Sequence, residues 1–261
     1  MNRTSLTWNV SRLYHQYADP RVKDWPLMER PVTVISLVAI YLLIVKHLGP
    51  QHMANRKPYV FTKLLMTYNV SLVILTSYTL YEIFVSVLHV DFDKGCMVVD
   101  YSNTPMAIRM AGASWFYFIS KVIELLDTVF IVAKKKQSQV TFLHVYHHST
   151  MVLVCWFVTK FMPGGMKFFP ALMNCCIHIL MYSYYGLAAL GPHMQKYLWW
   201  KKYLTRLQIV QFILATTYLT YSFMVPCGYP RLISGFGIVY STTFLSLFLN
   251  FYYQAYIKKA R

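Results

Sequence analysis

Seven long apolar stretches leave this chain few ways to fold. Hydrophobic residues make up 57% of it and charged residues only 13%, about half the charged share of a soluble domain. About 20 apolar residues cross a bilayer as a helix, the form that satisfies its own backbone in hydrocarbon. The sequence therefore predicts an all-α membrane protein with seven transmembrane helices in one polytopic domain, residues 1–261. After an N-terminal segment, 1–31, the spans fall at about 32–48, 63–90, 113–133, 141–161, 168–190, 205–225 and 232–256. Gly49-Pro50, Pro163-Gly164-Gly165 and Gly191-Pro192 punctuate them. No apolar core precedes residue 32, so the first span is expected to act as the targeting signal.

The net charge of +16 suggests nucleic acid only until its distribution is considered. Segments 46–63, 134–136, 191–206 and 258–261 hold fourteen Lys/Arg and no acid, whereas 91–112, 162–168 and 226–231 hold four basic residues and three acids. Basic loops stay cytosolic. The C-terminus is thus expected in the cytosol and the N-terminus in the lumen, with no nucleic-acid partner. Five basic residues in 1–31 oppose this orientation; the sequons at Asn2 and Asn9 favour it. The run VKDWPLMERP reads as an interfacial lead-in with Trp25 at headgroup depth. Cys96 and Cys227 both fall on the oxidising side and are expected to form a disulfide; Cys155, Cys175 and Cys176 read as small apolar filler. Lys258 and Lys259 match a dilysine signal for retrieval to the endoplasmic reticulum, and equally ordinary stop-transfer charge.

Polar groups interrupt four spans. KVIELLDT places Lys121, Glu124 and Asp127 on one stripe; HVYHHS places His144, His147 and His148 on one helical face. NCCIHILMYSYYG aligns Asn174, His178, Tyr182 and Tyr185, and TRLQIVQ aligns Thr205, Gln208 and Gln211. Ionisable side chains inside a membrane are expensive and usually functional. An ion-pair ladder, a packing histidine and interhelical amide bonds are the bland readings. By the predicted topology all four groups lie toward the cytosolic side, where one cavity can gather them.

His-x-x-His-His also occurs in membrane di-iron oxygenases and desaturases, which need about eight ligating histidines. Here His15, His47, His52, His89, His178 and His193 stand singly, so no metal site is assigned, although four histidines and two carboxylates could hold an ion. A non-enzymatic seven-helix receptor or transporter is the other competing class.

Taken together, KVIELLDT, HVYHHS, NCCIHILMYSYYG and TRLQIVQ, in this order and spacing, resemble the motif set of the very-long-chain fatty acid elongases, membrane condensing enzymes of the endoplasmic reticulum. The similarity runs from about residue 25 to the end. VDYSN, FLHVYHH and YLWWKKYLT look most like the subgroup acting on very long and polyunsaturated chains. The resemblance implies condensation of acyl-CoA with malonyl-CoA to 3-ketoacyl-CoA, carbon dioxide and CoA, with no cofactor. It implies that spans 2–7 form two three-helix units around an acyl tunnel. In that scheme His147 carries the acyl group, His148 handles protons, and His144 is structural. His178 and Asn174 hold the malonyl thioester, while Glu124 and Asp127 orient imidazoles. Lys121, Lys201, Lys202 and Arg206 face CoA phosphates, and Tyr182, Tyr185, Gln208 and Gln211 line the substrate path. Reductases and a dehydratase of the endoplasmic reticulum would be partners; homo-oligomerisation stays open.

Overall fold

The computed structural model describes residues 14, 16–89, 97–226 and 228–258. It is helical throughout, with no strand among the described residues. The long helices are α1 (Pro31–Met53), α2 (Thr62–Leu88), α3 (Pro105–Ala133), α4 (Phe142–Phe161), α5 (Phe168–Ala189), α6 (Lys201–Met224) and α7 (Arg231–Ile257).

Local chemistry explains several boundaries. Thr104 accepts from the Ala107 amide and Pro105 occupies the first turn, so α3 begins well before the apolar stretch expected from 113. Thr141 caps α4 through the His144 amide and thereby sets the orientation of the histidine box. Gly49-Pro50 does not end α1. A π turn over Ile44–Leu48 absorbs the break, and Pro50 sits in the first turn of the continuation, where its missing N–H does little harm. Gly164 and Gly165 take positive φ (133° and 69°), turning the chain between α4 and α5.

Three helices, α1, α2 and α7, are long and apolar enough to cross a membrane by length and composition. In α3, Arg109, Lys121, Glu124 and Asp127 offset its apolar residues, and histidines interrupt α4. The composition and the long apolar helices define a multi-pass membrane protein.

Helix packing closes on itself. α2 packs on α3, α3 on α4, α4 on α7, α7 on α6, α6 on α5, and α5 back on α2. The α2–α5 joint is the most extensive of these and α4–α7 the sparsest. α1 stands outside this ring, packed against α4 and, at its far end, α3. One apolar core, including Val34, Phe118, Val152 and Trp156, joins α1, α3 and α4. A second, including Leu72, Tyr182 and Leu204, joins α2, α5 and α6.

The lead-in segment does more than float at an interface. Val22 and Met28 are fully buried. Trp115 Nε1 donates to the Pro26 carbonyl (3.1 Å) and Trp156 Nε1 to that of Leu27 (2.9 Å). Arg21 donates to the Ser102 carbonyl at 2.7 Å. Asn2, Asn9, Cys96, Cys227 and Lys259 lie outside the described residues, and with them the sequon, disulfide and full dilysine readings.

Candidate functional site

Four ionisable or amide side chains meet between α3 and α5. Lys121 Nζ donates to Glu124 Oε1 at 2.8 Å and to Asn174 Oδ1 at 2.9 Å, and lies 3.3 Å from His178 Nδ1. His178 Nδ1 is also 3.1 Å from Glu124 Oε1. Tyr117 adds a hydrogen bond to Asn174 Oδ1 at 2.8 Å, and its ring lies 4.7 Å from the Lys121 ammonium. Lys121, Glu124, Asn174 and His178 are all buried. Helical spacing makes this possible: Tyr117, Lys121 and Glu124 share one face of α3, and Asn174 and His178 are one turn apart on α5. Glu124 Oε2 has no hydrogen-bond partner and is buried, so one carboxylate oxygen faces the interior with its acceptor capacity unused.

The histidine box lies across α4. His144 and His148 have ring centroids 4.4 Å apart, and His147 and His148 are edge to face at 5.2 Å. The His147 ring rests 5.1 Å from Phe244 of α7. The charge of Glu124 reaches both His147 and His148, and that of Lys121 reaches His147. Box and buried cluster thus share one interior. His144 Nε2 lies 2.9 Å from Thr128 Oγ1, which lies 2.8 Å from the Tyr41 hydroxyl of α1. A buried polar relay therefore runs from the outer helix to the box.

Asp127 departs from the sequence reading. It accepts from the Tyr68 hydroxyl at 2.9 Å and the Tyr182 hydroxyl at 2.7 Å, so it clamps α2 and α5 to α3 rather than orienting an imidazole. One helical turn separates it from the face that meets His178. Tyr182 is fully buried by that clamp, while Tyr185 is 43% exposed. Gln211 is buried and Gln208 donates to Met181 Sδ at 3.8 Å. Arg206 is exposed, donating to the Tyr252 hydroxyl at 2.8 Å and stacking on Tyr203. Lys201 is exposed and Lys202 half-buried beside Tyr256. Thus Lys121 belongs to the buried cluster, apart from the other basic residues grouped with it. Tyr41, Tyr68, Tyr117, Thr128 and Phe244 complete the site without having been singled out from sequence. Thr128 closes the KVIELLDT motif and Tyr117 lies one turn before Lys121, so a stripe analysis of α3 could have found both. Among the described residues no three His, Cys, Asp or Glu side chains converge as metal ligands.

An interior of helices lined with imidazoles, an ammonium and carboxylates marks a membrane protein with an intramembrane ionisable centre. The sequence of residues 26–261 matches the family model described as "ELO: GNS1/SUR4 family". Very long chain fatty acid elongase 7 of Rattus norvegicus is 45% identical over 263 residues, covering 99% of this chain and 94% of its own length. Very long chain fatty acid elongase 4 of Mus musculus is 46% identical, covering 98% and 83%. Very long chain fatty acid elongase 1 of Mus musculus is 44% identical, covering 97% and 92%. The chain belongs to the ELO (GNS1/SUR4) family, and the likeness read from its four motifs holds across nearly its full length.

Proposed function

We propose that this protein is a fatty acid elongase that condenses acyl-CoA with malonyl-CoA. The observation that carries the reading is the buried Lys121–Glu124–Asn174–His178 cluster beside the histidine box, in a chain of the elongase family. In the first step an imidazole nitrogen of His147 attacks the thioester carbonyl. The C–S bond breaks and CoA leaves as a thiol with the imidazole proton, which His148 relays. In the second step malonyl-CoA loses its carboxylate as carbon dioxide, and the resulting enolate carbon attacks the acyl-imidazole carbonyl. The C–N bond breaks, 3-ketoacyl-CoA forms, and the leaving ring nitrogen of His147 takes up one proton from solvent by way of His148, which restores the neutral imidazole. Negative charge gathers on the thioester oxygen of the enolate, where a fixed donor is most effective. When Lys121 donates to His178 Nδ1, His178 carries its proton on Nε2 and supplies that donor. The Lys121 ammonium adds positive charge behind it, and Asn174 holds the thioester. No cofactor enters this scheme.

The same reading assigns seven transmembrane spans to α1–α7, with α2–α4 and α5–α7 as two three-helix units around an acyl tunnel. The closed order of helix packing supports this. It puts the C-terminus in the cytosol, the N-terminus in the lumen, and the protein in the endoplasmic reticulum. The reading assigns exposed Lys201 and Arg206 to the CoA phosphates, and reductases and a dehydratase take up the product.

The test is incubation with radiolabelled acyl-CoA in the absence of malonyl-CoA. One equivalent of CoA should be released and label should remain on the enzyme, and His147→Ala should lose both. An active preparation that releases no CoA until malonyl-CoA is added would overturn the two-step scheme.

A further inference from the structure

At the far end of α4 from the histidine box, Lys160 is 97% buried, with 3% of its surface exposed. At 1.5 Å per residue it lies about 24 Å along the helix from His144, close to the thickness of the hydrocarbon layer. Its ammonium stands 5.6 Å from the centre of the Tyr14 ring. It makes no ion pair or hydrogen bond with another described side chain. Of the carboxylates near it, the two that line the same cavity, Asp19 and Glu29, are engaged elsewhere. Asp19 receives the Arg21 guanidinium at 2.6–3.1 Å and the Arg21 amide at 2.9 Å. Glu29 pairs with Arg30 at 3.1 Å on the surface. Lys160 lines a cavity of about 480 Å³ together with Tyr14, Asp19, Lys23, Glu29 and Arg30, a volume typical of small-ligand sites.

We propose that this cavity binds the phosphodiester of a phospholipid headgroup. A buried lysine on the wall of a cavity, with no carboxylate in contact, calls for an anionic acceptor. Three basic and two acidic residues line the wall, leaving one positive charge in excess. A phosphodiester carries one negative charge; a free phosphate near neutral pH carries more and meets the repulsion of Glu29 and Asp19. On the proposed seven-span arrangement the site falls at headgroup depth, and Tyr14 on its wall has an amphipathic ring that suits that depth. Acyl tails would run down the outside of the bundle while the phosphate bridges Lys160 of α4 to Lys23 of the lead-in. The lipid thereby fastens residues 14–30 onto the end of the bundle, independently of the reaction at the other end.

The test uses full-length protein, stripped of lipid in detergent, with binding read from thermal stability. Dioctanoyl phosphatidylglycerol should bind at least tenfold more tightly than dioctanoylglycerol, which has the same tails and no phosphate. Lys160→Met should weaken that binding by roughly tenfold, the loss of one charge-assisted hydrogen bond, and Lys160→Arg should retain it. Because a buried substitution can impair folding, Lys23→Met on the exposed rim serves as a second variant and should weaken binding severalfold. Inorganic phosphate alone should give no shift. Equal shifts from inorganic phosphate and the phospholipid would overturn the lipid as source. Equal binding of the two lipids, or unchanged binding in Lys160→Met and Lys23→Met, would overturn the site.

Discussion

Replacing Lys121 by Met keeps much of the side chain's length and removes its charge, and the consequences can be worked from the geometry. Lys121 and Glu124 are 2% and 1% exposed and in contact at 2.8 Å. Opposite charges about 4 Å apart attract by roughly 4 kcal/mol at an effective dielectric near 20. Removing one partner of a buried pair costs roughly 3–5 kcal/mol, because the other charge is left without compensation. For a chain of this size each kcal/mol moves the unfolding midpoint by about 2–4 °C, so Lys121→Met should lower it by roughly 10 °C. Glu124 keeps only its contact with His178 in that variant. Adding Glu124→Gln removes the stranded charge. The double variant should therefore be more stable than Lys121→Met alone, with a coupling of about 2 kcal/mol or more in a thermal-unfolding cycle. Strictly additive losses would refute the reasoning, since the two side chains would then be stabilised independently. Activity should not return with stability, because the donor to His178 is still missing.

Four other substitutions probe other parts of the molecule. Thr128→Val cuts the relay from Tyr41 to His144 and should lower kcat roughly tenfold with little change in KM; steady-state kinetics on acyl-CoA and malonyl-CoA decide it, and Tyr41→Phe should act in the same direction more mildly. Gly165→Ala forces a Cβ into a φ of +69°, within 2.7 Å of Tyr229 and 2.9 Å of Val99, and should lower stability by about 1–3 kcal/mol in thermal unfolding. Asp100, in the loop before α3, is held below the usual carboxylate range chiefly by the Ser102 amide, which donates to it at 2.8 Å. Its folded pKa is depressed, so its contribution is present above about pH 4 and is lost as pH falls through the lower folded value. Asp100→Asn should remove that acid-side dependence from protease protection of the 97–104 loop.

Much of this arrangement can be read from sequence because a membrane punishes ambiguity. Apolar length places the helices within a few residues, and the exceptions have local causes. α3 starts at Pro105 because a Thr-Pro cap fixes its first turn ahead of Arg109 and Gly112, and α1 survives Gly49-Pro50 through a π turn. The stripe Lys121–Glu124 and the pair Asn174–His178 stand out as buried polarity, and both enter one cluster. What periodicity cannot supply is the partner across the helix gap. Asp127 lies three residues from Glu124, yet its carboxylate meets two tyrosines and no histidine. Tyr68 and Tyr41, on otherwise apolar helices, look like ordinary interior aromatics until the third dimension gives their hydroxyls acceptors.

In a closed circuit of six helices no helix is terminal, so one loosened joint leaves every member held from its other side. Such a circuit behaves as a clasp: the broad α2–α5 seam is the spine and the sparse α4–α7 seam is where parting is least opposed. His147 and Phe244 face each other across that weaker seam. The imidazole proposed to carry the acyl group thus stands at the joint where parting is least opposed, against the buried ring of Phe244, while the broad seam anchors the helix that carries Asn174 and His178.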